Sequence, residues 1–271
     1  MLSGATRLVG IIGDPVSHSL SPRMQNAAFA ARGLDWAYVP LPVEAGRLED
    51  AVAGLVALGF AGANVTIPHK TAVVSFCDEI DEVAERAGSV NTLVVREGRV
   101  LGSSTDGLAV TEAVGCAGER VLLLGAGGAA QAVATALLDA GVSELVVSSR
   151  TPERAHALAA RLRTLFHEQA VSAEDVWPPD AAGASLVVNA TPIRDEVVIE
   201  PRPELQLVDL AYRPDGSDTA LVAAARAAGC RAVVDGLEVL VLQGAASFER
   251  WTGVPAPVEV MRAAVRLSVA H

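Results

Sequence analysis

Cysteine is scarce in this chain. Cys77, Cys116 and Cys230 stand alone and are odd in number. That excludes a disulfide framework and zinc-type ligand spacing, and it points to free thiols in a reducing compartment. Positive charge is also short: 21 Lys and Arg face 32 Asp and Glu, for a net charge of −11. Nucleic-acid binding rests on basic side chains meeting phosphates, so that function class is excluded. Aromatic residues make up only 4%. No apolar run approaches the roughly 20 residues that span a bilayer. The early run Leu8 to Ile12 reads as a first strand, too short for the apolar core of a signal peptide. A cytoplasmic protein with no membrane partner is the expectation. There is no internal repeat, low-complexity tract or evident linker, so closely packed domains around a cleft are expected.

What the chain does have is small aliphatic bulk. Its 271 residues are 51% hydrophobic, enough for one large or two medium domains with buried parallel strands covered by helices. Strands are predicted at Leu8 to Ile12, Trp36 to Leu41 and Gly62 to Ile67, with helices from Ser21 to about Arg32 and from Gly46 to Leu58. Asn91 to Val95 and Arg99 to Leu101 flank Glu97-Gly98, a hairpin signal. From about Gly107 the pattern becomes strand–turn–helix–strand: Arg120 to Leu124, Ala129 to Ala140, Glu144 to Ser148. Further strands are predicted at Ser185 to Asn189, Leu205 to Leu210 and Arg231 to Val234, and a helix at Thr219 to Ala228. The pattern is again helical from Leu237 to about Trp251 and from Val258. The fold class is α/β: a domain over residues 1–106, completed by helices within 237–271, and a Rossmann-type domain over 107–236.

Two stretches carry chemistry. Gly125-Ala126-Gly127-Gly128-Ala129 sits between an apolar strand and a helix. There, absent side chains let the backbone approach a pyrophosphate at the helix's positive end; a turn that needs glycine only for steric reasons is the competing account. An acid about 20 residues further on would bind the ribose of NAD. The chain instead reads Ser149-Arg150-Thr151 with Arg154, and arginine forks suit a 2′-phosphate. NADP is therefore the expected cofactor and NAD less favoured, with Glu153 the counter-argument and two solvated arginines at a helix start the competing account. The second stretch pairs Asn64-Val65-Thr66-Ile67-Pro68-His69-Lys70 with Ser104-Thr105-Asp106-Gly107. A lysine and an aspartate at the ends of polar runs suit proton transfer from a hydroxylated substrate. Ser19 and Ser21 lie just before or at the predicted helix start, where hydroxyls and free amides suit a carboxylate; Ser21 alone reads as an N-cap. His18 and His69 lack a third partner at metal spacing, so no metal is expected. Cys77 is predicted on an apolar helical face.

These motifs, together with Gly88-Ser89-Val90-Asn91-Thr92 and Asp235-Gly236-Leu237 followed by Gln243, resemble the shikimate dehydrogenase family in the same order over nearly the whole chain. The resemblance implies an N-terminal substrate domain and a Rossmann NADP domain. It also implies reversible oxidation of shikimate to 3-dehydroshikimate in the pathway to chorismate and the aromatic amino acids. By position, Lys70 and Asp106 resemble the catalytic pair, and Ser19 and Ser21 the carboxylate binders. Asn64, Thr66, Asn91 and Gln243 resemble contacts to ring hydroxyls, and Tyr212 a tyrosine near substrate and nicotinamide. Gly125 to Ala129, Ser149, Arg150, Thr151, Arg154, Thr191 and Gly236 resemble the cofactor site. The chain departs from the family pattern at Gln25, His69, Ser104, Ser149 and Leu237-Glu238. Family relatives also oxidise quinate or modified ring acids, with NAD or NADP, so that activity is the alternative. A dinucleotide-binding regulator without turnover is a second alternative. The partner is thus a small ring acid, and the assembly a monomer or homodimer.

Overall fold

The computed structural model describes residues 2–267; Met1 and 268–271, the end of the segment expected to complete the first domain, lie outside them. The chain divides into two compact units, residues 1–105 with 240–271, and residues 106–239. Each has its own six-stranded sheet.

In the first unit the elements are β1 (Arg7–Gly13), α1 (Ser21–Ala31), β2 (Trp36–Pro42), α2 (Leu48–Ala57), β3 (Gly62–Val65), β4 (Glu79–Ile80), α3 (Glu82–Ala87), β5 (Thr92–Arg96) and β6 (Arg99–Ser103). The strand order is β2-β1-β3-β5-β6-β4. β1 runs parallel to β2 and β3, while β5 is antiparallel to β3 and β6. Glu97 and Gly98 both have positive φ, 54° and 77°, the geometry of a type I′ hairpin turn, and Arg96 pairs with Arg99 across it. Ile12, Val52, Leu55, Val65, Val73 and Leu93 share one apolar cluster. β3 closes two residues earlier than its sequence pattern suggests, although Asp14 N still donates to Ile67 O at 3.0 Å. Helix α2 begins at Leu48 because Ala45–Arg47 forms a 3₁₀ turn.

The second unit holds α4 (Asp106–Ala113), β7 (Arg120–Leu124), α5 (Gly128–Asp139), β8 (Glu144–Ser148), α6 (Pro152–Leu165), β9 (Ala170–Ala173), β10 (Leu186–Asn189), β11 (Gln206–Asp209), α7 (Ala220–Ala227), β12 (Ala232–Val234) and the start of α8 (Gly236–Thr252). All its strand pairs are parallel, in the order β12-β11-β10-β7-β8-β9. This is the doubly wound order, with its reversal between β7 and β10. β10 and β11 are buried along their whole length and β7 at every residue but Arg120, which explains runs such as Val121 to Leu124: helices cover both faces. Helix α6, marked in the sequence only by its start, buries Ala155, Leu158, Ala159 and Leu162 along one stripe.

Helix α8 passes from the second unit into the first, and α9 (Val258–Arg266) follows. Within the first unit Phe248 of α8 stacks on Phe29 of α1 at 5.3 Å. Trp251 Nε1 donates to Leu93 O at 2.9 Å. That contact needs glycine at position 62: a Cβ there would lie 2.1 Å from Leu93 O and 2.6 Å from Trp251 Nε1. Gly62→Ala should therefore cost on the order of 3 kcal/mol. Gly54→Ala, where a Cβ meets nothing within 4 Å, should gain about 0.5–1 kcal/mol by helix propensity. Urea unfolding midpoints check this, and equal shifts for the two variants would contradict the packing account.

Candidate active site

In the first unit the polar motifs converge on a buried hydrogen-bond hub. Asn64, on the central strand β3, accepts from Tyr38 Oη at 2.8 Å through Oδ1. Its Nδ2 faces Asn91 O at 3.1 Å, Thr92 Oγ1 at 3.2 Å and Ser247 Oγ at 2.9 Å. Asn91 Oδ1 accepts the amide of Thr105 at 2.9 Å, and its Nδ2 donates to Thr105 Oγ1 at 2.9 Å. Thr105 Oγ1 and Ser247 Oγ both donate to the carbonyl of Gln243, at 3.2 and 3.0 Å. Asn64, Asn91 and Gln243 are thereby brought together, and Thr105 places the chain immediately before Asp106, the first residue of α4. Lys70 is half-buried in the loop after β3, where its carbonyl accepts Val90 N at 2.9 Å. Thr66 N donates to Ile12 O at 2.8 Å.

Ser19 and Ser21 lie outside this hub, at the start of α1. Ser21 is not an N-cap: it is the first helical residue, after Leu20, and its amide donates to Ser19 Oγ at 3.2 Å. His69 is buried, with Nε2 2.6 Å from Val43 O, a structural contact. Gln25 is buried and donates to Gly244 O at 2.9 Å. Cys77 is not on a helical face; it is the extended residue after a 3₁₀ turn. Burial, with Asp78 beside it, pushes its thiol up to about 11. Burial raises Cys116 and Cys230 as well, which disfavours the reactive thiolate form at all three. Among the described residues no cluster of His, Cys, Asp or Glu could hold a metal ion, and no helix is long and apolar enough to cross a membrane.

In the second unit the glycine turn lies at the reversal of strand order. Gly125 has φ 112°, and a Cβ on it would sit 3.0 Å from Ala190 O and 3.4 Å from Thr191 Cγ2. Protein packing therefore accounts for Gly125. It does not account for Gly127, the residue before α5: there a Cβ meets nothing within 4 Å, and no side chain caps the helix. A backbone open to close approach at a helix N-terminus suits a pyrophosphate, and Ala126, Gly128 and Ala129 flank it. Beyond β8, Ser149 Oγ accepts Thr151 N at 3.3 Å, and Arg150 and Arg154 are exposed with no acidic partner among the described residues. Thr191 is held by Asn189, whose Oδ1 accepts both its amide, at 3.1 Å, and its hydroxyl, at 2.6 Å. Tyr212 and Gly236 line a shallow surface depression with Ser217, Asp218 and Leu237.

Three family models match this chain. They describe the shikimate dehydrogenase substrate-binding domain over residues 11–93, shikimate/quinate 5-dehydrogenase over 108–210, and the shikimate 5′-dehydrogenase C-terminal domain over 236–266. A curated shikimate dehydrogenase (NADP(+)) of Rubrobacter xylanophilus is 48% identical over 97% of each chain. The chain belongs to the shikimate dehydrogenase family. Among solved structures, a shikimate dehydrogenase in complex with NADP+ superposes with a TM-score of 0.88 at 36% identity, covering 98% of this chain and 96% of that one. The ligand-free 5-ketofructose reductase of Gluconobacter sp. strain CHM43 gives 0.85 at 30% identity, over 97% and 99%.

The residues missed by motif reading are Tyr38 and Ser247, which share no local pattern and meet only through the sheet and α8; Thr92 stands in a quoted motif but is given no role there. One compositional signal was available: Lys70 is the only lysine among 21 basic residues.

One titrating group underlies the Rossmann unit of this shikimate dehydrogenase homologue. Asp209, at the end of β11, accepts from Asn189 Nδ2 at 2.8 Å, Ala211 N at 2.9 Å and Thr219 Oγ1 at 2.6 Å. Burial outweighs these bonds and pushes its carboxyl from 3.8 up to about 6. The folded state thus binds this proton more tightly than the unfolded chain. The associated stability is fully present below about pH 4 and is lost as pH rises through 6, on the order of 3 kcal/mol at neutral pH. Asp209→Asn keeps the acceptor for Asn189 and Ala211 and removes the titration. The difference in Tm between wild type and variant should therefore change between pH 4 and 6.5; parallel Tm curves would contradict the assignment.

Proposed function

We propose that this protein catalyses the reversible, NADP-dependent oxidation of shikimate to 3-dehydroshikimate, a step of the shikimate pathway, with Lys70 carrying the proton. The observation that carries this reading is the single lysine. Arginine serves at the other 20 basic positions, so wherever a fixed cation suffices this chain uses the guanidinium. A guanidinium does not release its proton in a protein, whereas an amine does. The one retained amine stands in the loop where the family's proton-transfer residue is expected.

In this reading the hydroxyls and amides of Ser19 and Ser21 hold the substrate carboxylate. Asn91, Thr66 and Gln243 contact the ring hydroxyls, and Asn64 contributes through the second lone pair of Oδ1, since its amide protons face protein acceptors. Lys70 Nζ receives the proton of the reacting hydroxyl during oxidation and returns it during reduction. Asp106 orients that amine and a neighbouring hydroxyl, and Tyr212 borders the ring. NADP supplies the hydride acceptor or donor when bound. Gly125 to Ala129 admit its pyrophosphate, Thr191 and Gly236 border it, and Ser149, Arg150, Thr151 and Arg154 meet its 2′-phosphate. The domain roles follow: residues 1–106 and the C-terminal helices bind substrate, and residues 107–236 bind the cofactor. Three free thiols support a cytoplasmic setting.

Lys70→Ala should lower kcat by about 10²–10⁴, and Lys70→Arg, which keeps the charge, should be as slow. A kcat near wild type in the arginine variant, or a change confined to KM, would refute proton transfer by this residue. Arg150→Asp should raise KM for NADP⁺ at least about tenfold and leave that for NAD⁺ nearly unchanged. Equal losses with the two cofactors would refute the 2′-phosphate contact.

A further inference from the structure

Ser247 belongs to none of the motifs that mark the site, yet it is the junction of the buried hub. It is fully buried. Its Oγ lies 2.9 Å from Asn64 Nδ2, 2.8 Å from Thr92 Oγ1 and 3.0 Å from Gln243 O. A hydroxyl has one proton and two lone pairs, so these three partners saturate it and nothing is left for a ligand. Saturating Ser247 takes the one proton of Thr92 Oγ1, so the onward path runs through Gln243 O, which also accepts Thr105 Oγ1 at 3.2 Å; Asn91 Nδ2 donates to that same hydroxyl at 2.9 Å, next to Asp106. One hydroxyl therefore touches the Asn64 amide and the Gln243 carbonyl directly and reaches Thr105, with Asn91 behind it, through that carbonyl. Asn64, Asn91 and Gln243 are among the residues to which the proposed function gives the ring hydroxyls, Gln243 being held here by its main chain, and Thr105 precedes Asp106.

Tyr38 closes the other end. Its ring is buried against Trp251, with centroids 5.9 Å apart, and its hydroxyl donates to Asn64 Oδ1. This fixes which end of the Asn64 amide faces Ser247: oxygen toward Tyr38, nitrogen toward the serine. Flipping the amide would set its oxygen against the carbonyl oxygen of Asn91 and its nitrogen against the Tyr38 hydroxyl, a cost that is high in a buried network. A core needing only stability would be served by apolar side chains of the same volume.

We propose that Ser247, with Tyr38, is a positioning residue for substrate recognition: it holds the Asn64 amide, the Gln243 turn of α8 and the Asn91–Thr105 pair in the arrangement that receives the ring hydroxyls. The inference rests on the shikimate reading of this site. Its contribution is preorganisation rather than contact.

The test compares Ser247→Ala, Ser247→Thr and Tyr38→Phe with wild type in steady-state kinetics. Ser247→Ala should lower kcat/KM for shikimate about ten- to a hundredfold while KM for NADP⁺ stays within about twofold. Ser247→Thr, which keeps the hydroxyl, should recover part of the loss, and Tyr38→Phe should move the same parameter in the same direction. A kcat/KM within about twofold of wild type in both deletion variants, or parallel increases in KM for shikimate and NADP⁺, would overturn the proposal. If Ser247→Ala does not fold, Tyr38→Phe alone decides by the same criteria. If wild type itself does not turn over shikimate, the functional reading fails, and amide hydrogen exchange decides Ser247. Faster exchange at Thr105 by about tenfold in Ser247→Ala, with Leu123 unchanged, sustains the positioning role; unchanged exchange at Thr105 overturns it.

Discussion

A buried amide must satisfy its donors and its acceptor on the protein itself, and two asparagines at strand positions do so here in ways that fix their surroundings. Asn64 joins β2, β3, β5 and α8 of the first unit through Tyr38, Thr92 and Ser247. Asn189 joins β10 to β11 of the second through Asp209, and turns the chain at Thr191. Leaving any one of these groups unpaired costs about 1–3 kcal/mol, so each network admits one arrangement. The apolar strands form the sheets; the amides decide which polar groups stand at their ends.

Those strand ends are where chemistry is possible. In a doubly wound sheet the loops at the carboxyl ends separate where the strand order reverses, and here the reversal puts Gly125 against Ala190 and Thr191. Glycine at 125 is a requirement of that contact. Glycine at 127 answers to no protein neighbour, which leaves the backbone before α5 open, as the proposed pyrophosphate contact needs. Arg150 and Arg154 carry unpaired charge just beyond the neighbouring strand, in a protein whose net charge is −11. Local cations in an acidic chain are informative because the background field opposes the binding of anions elsewhere.

Much of this was legible from residues alone. The apolar run Val121 to Leu124 could only be a strand buried on both faces, and Glu97-Gly98 could only be a tight hairpin turn. The glycine turn, the arginines and Lys70 were readable because each is a local pattern with a local physical reason. Short or polar elements were not. α3 is six residues long and β4 two, too short for periodicity to register, although Asp81 does cap α3 by accepting Ala84 N at 2.8 Å. The hub was invisible for a different reason. Tyr38, Asn64 and Ser247 are separated by 26 and 183 positions, and a hydroxyl's role as junction exists only once the sheet and α8 are assembled. Ser21 shows the converse: its type and place suggested a cap, and the helix simply begins one residue earlier than that reading needs.

One amine and one arginine-marked dinucleotide site are proposed to serve the oxidation of a ring alcohol. The most direct measurement is the appearance of reduced nicotinamide absorbance with shikimate or quinate, each paired with NADP⁺ or NAD⁺. Turnover with shikimate and NADP⁺ should exceed that of the other three combinations. Preference for quinate or for NAD⁺, or no turnover in any combination by folded protein, would contradict it.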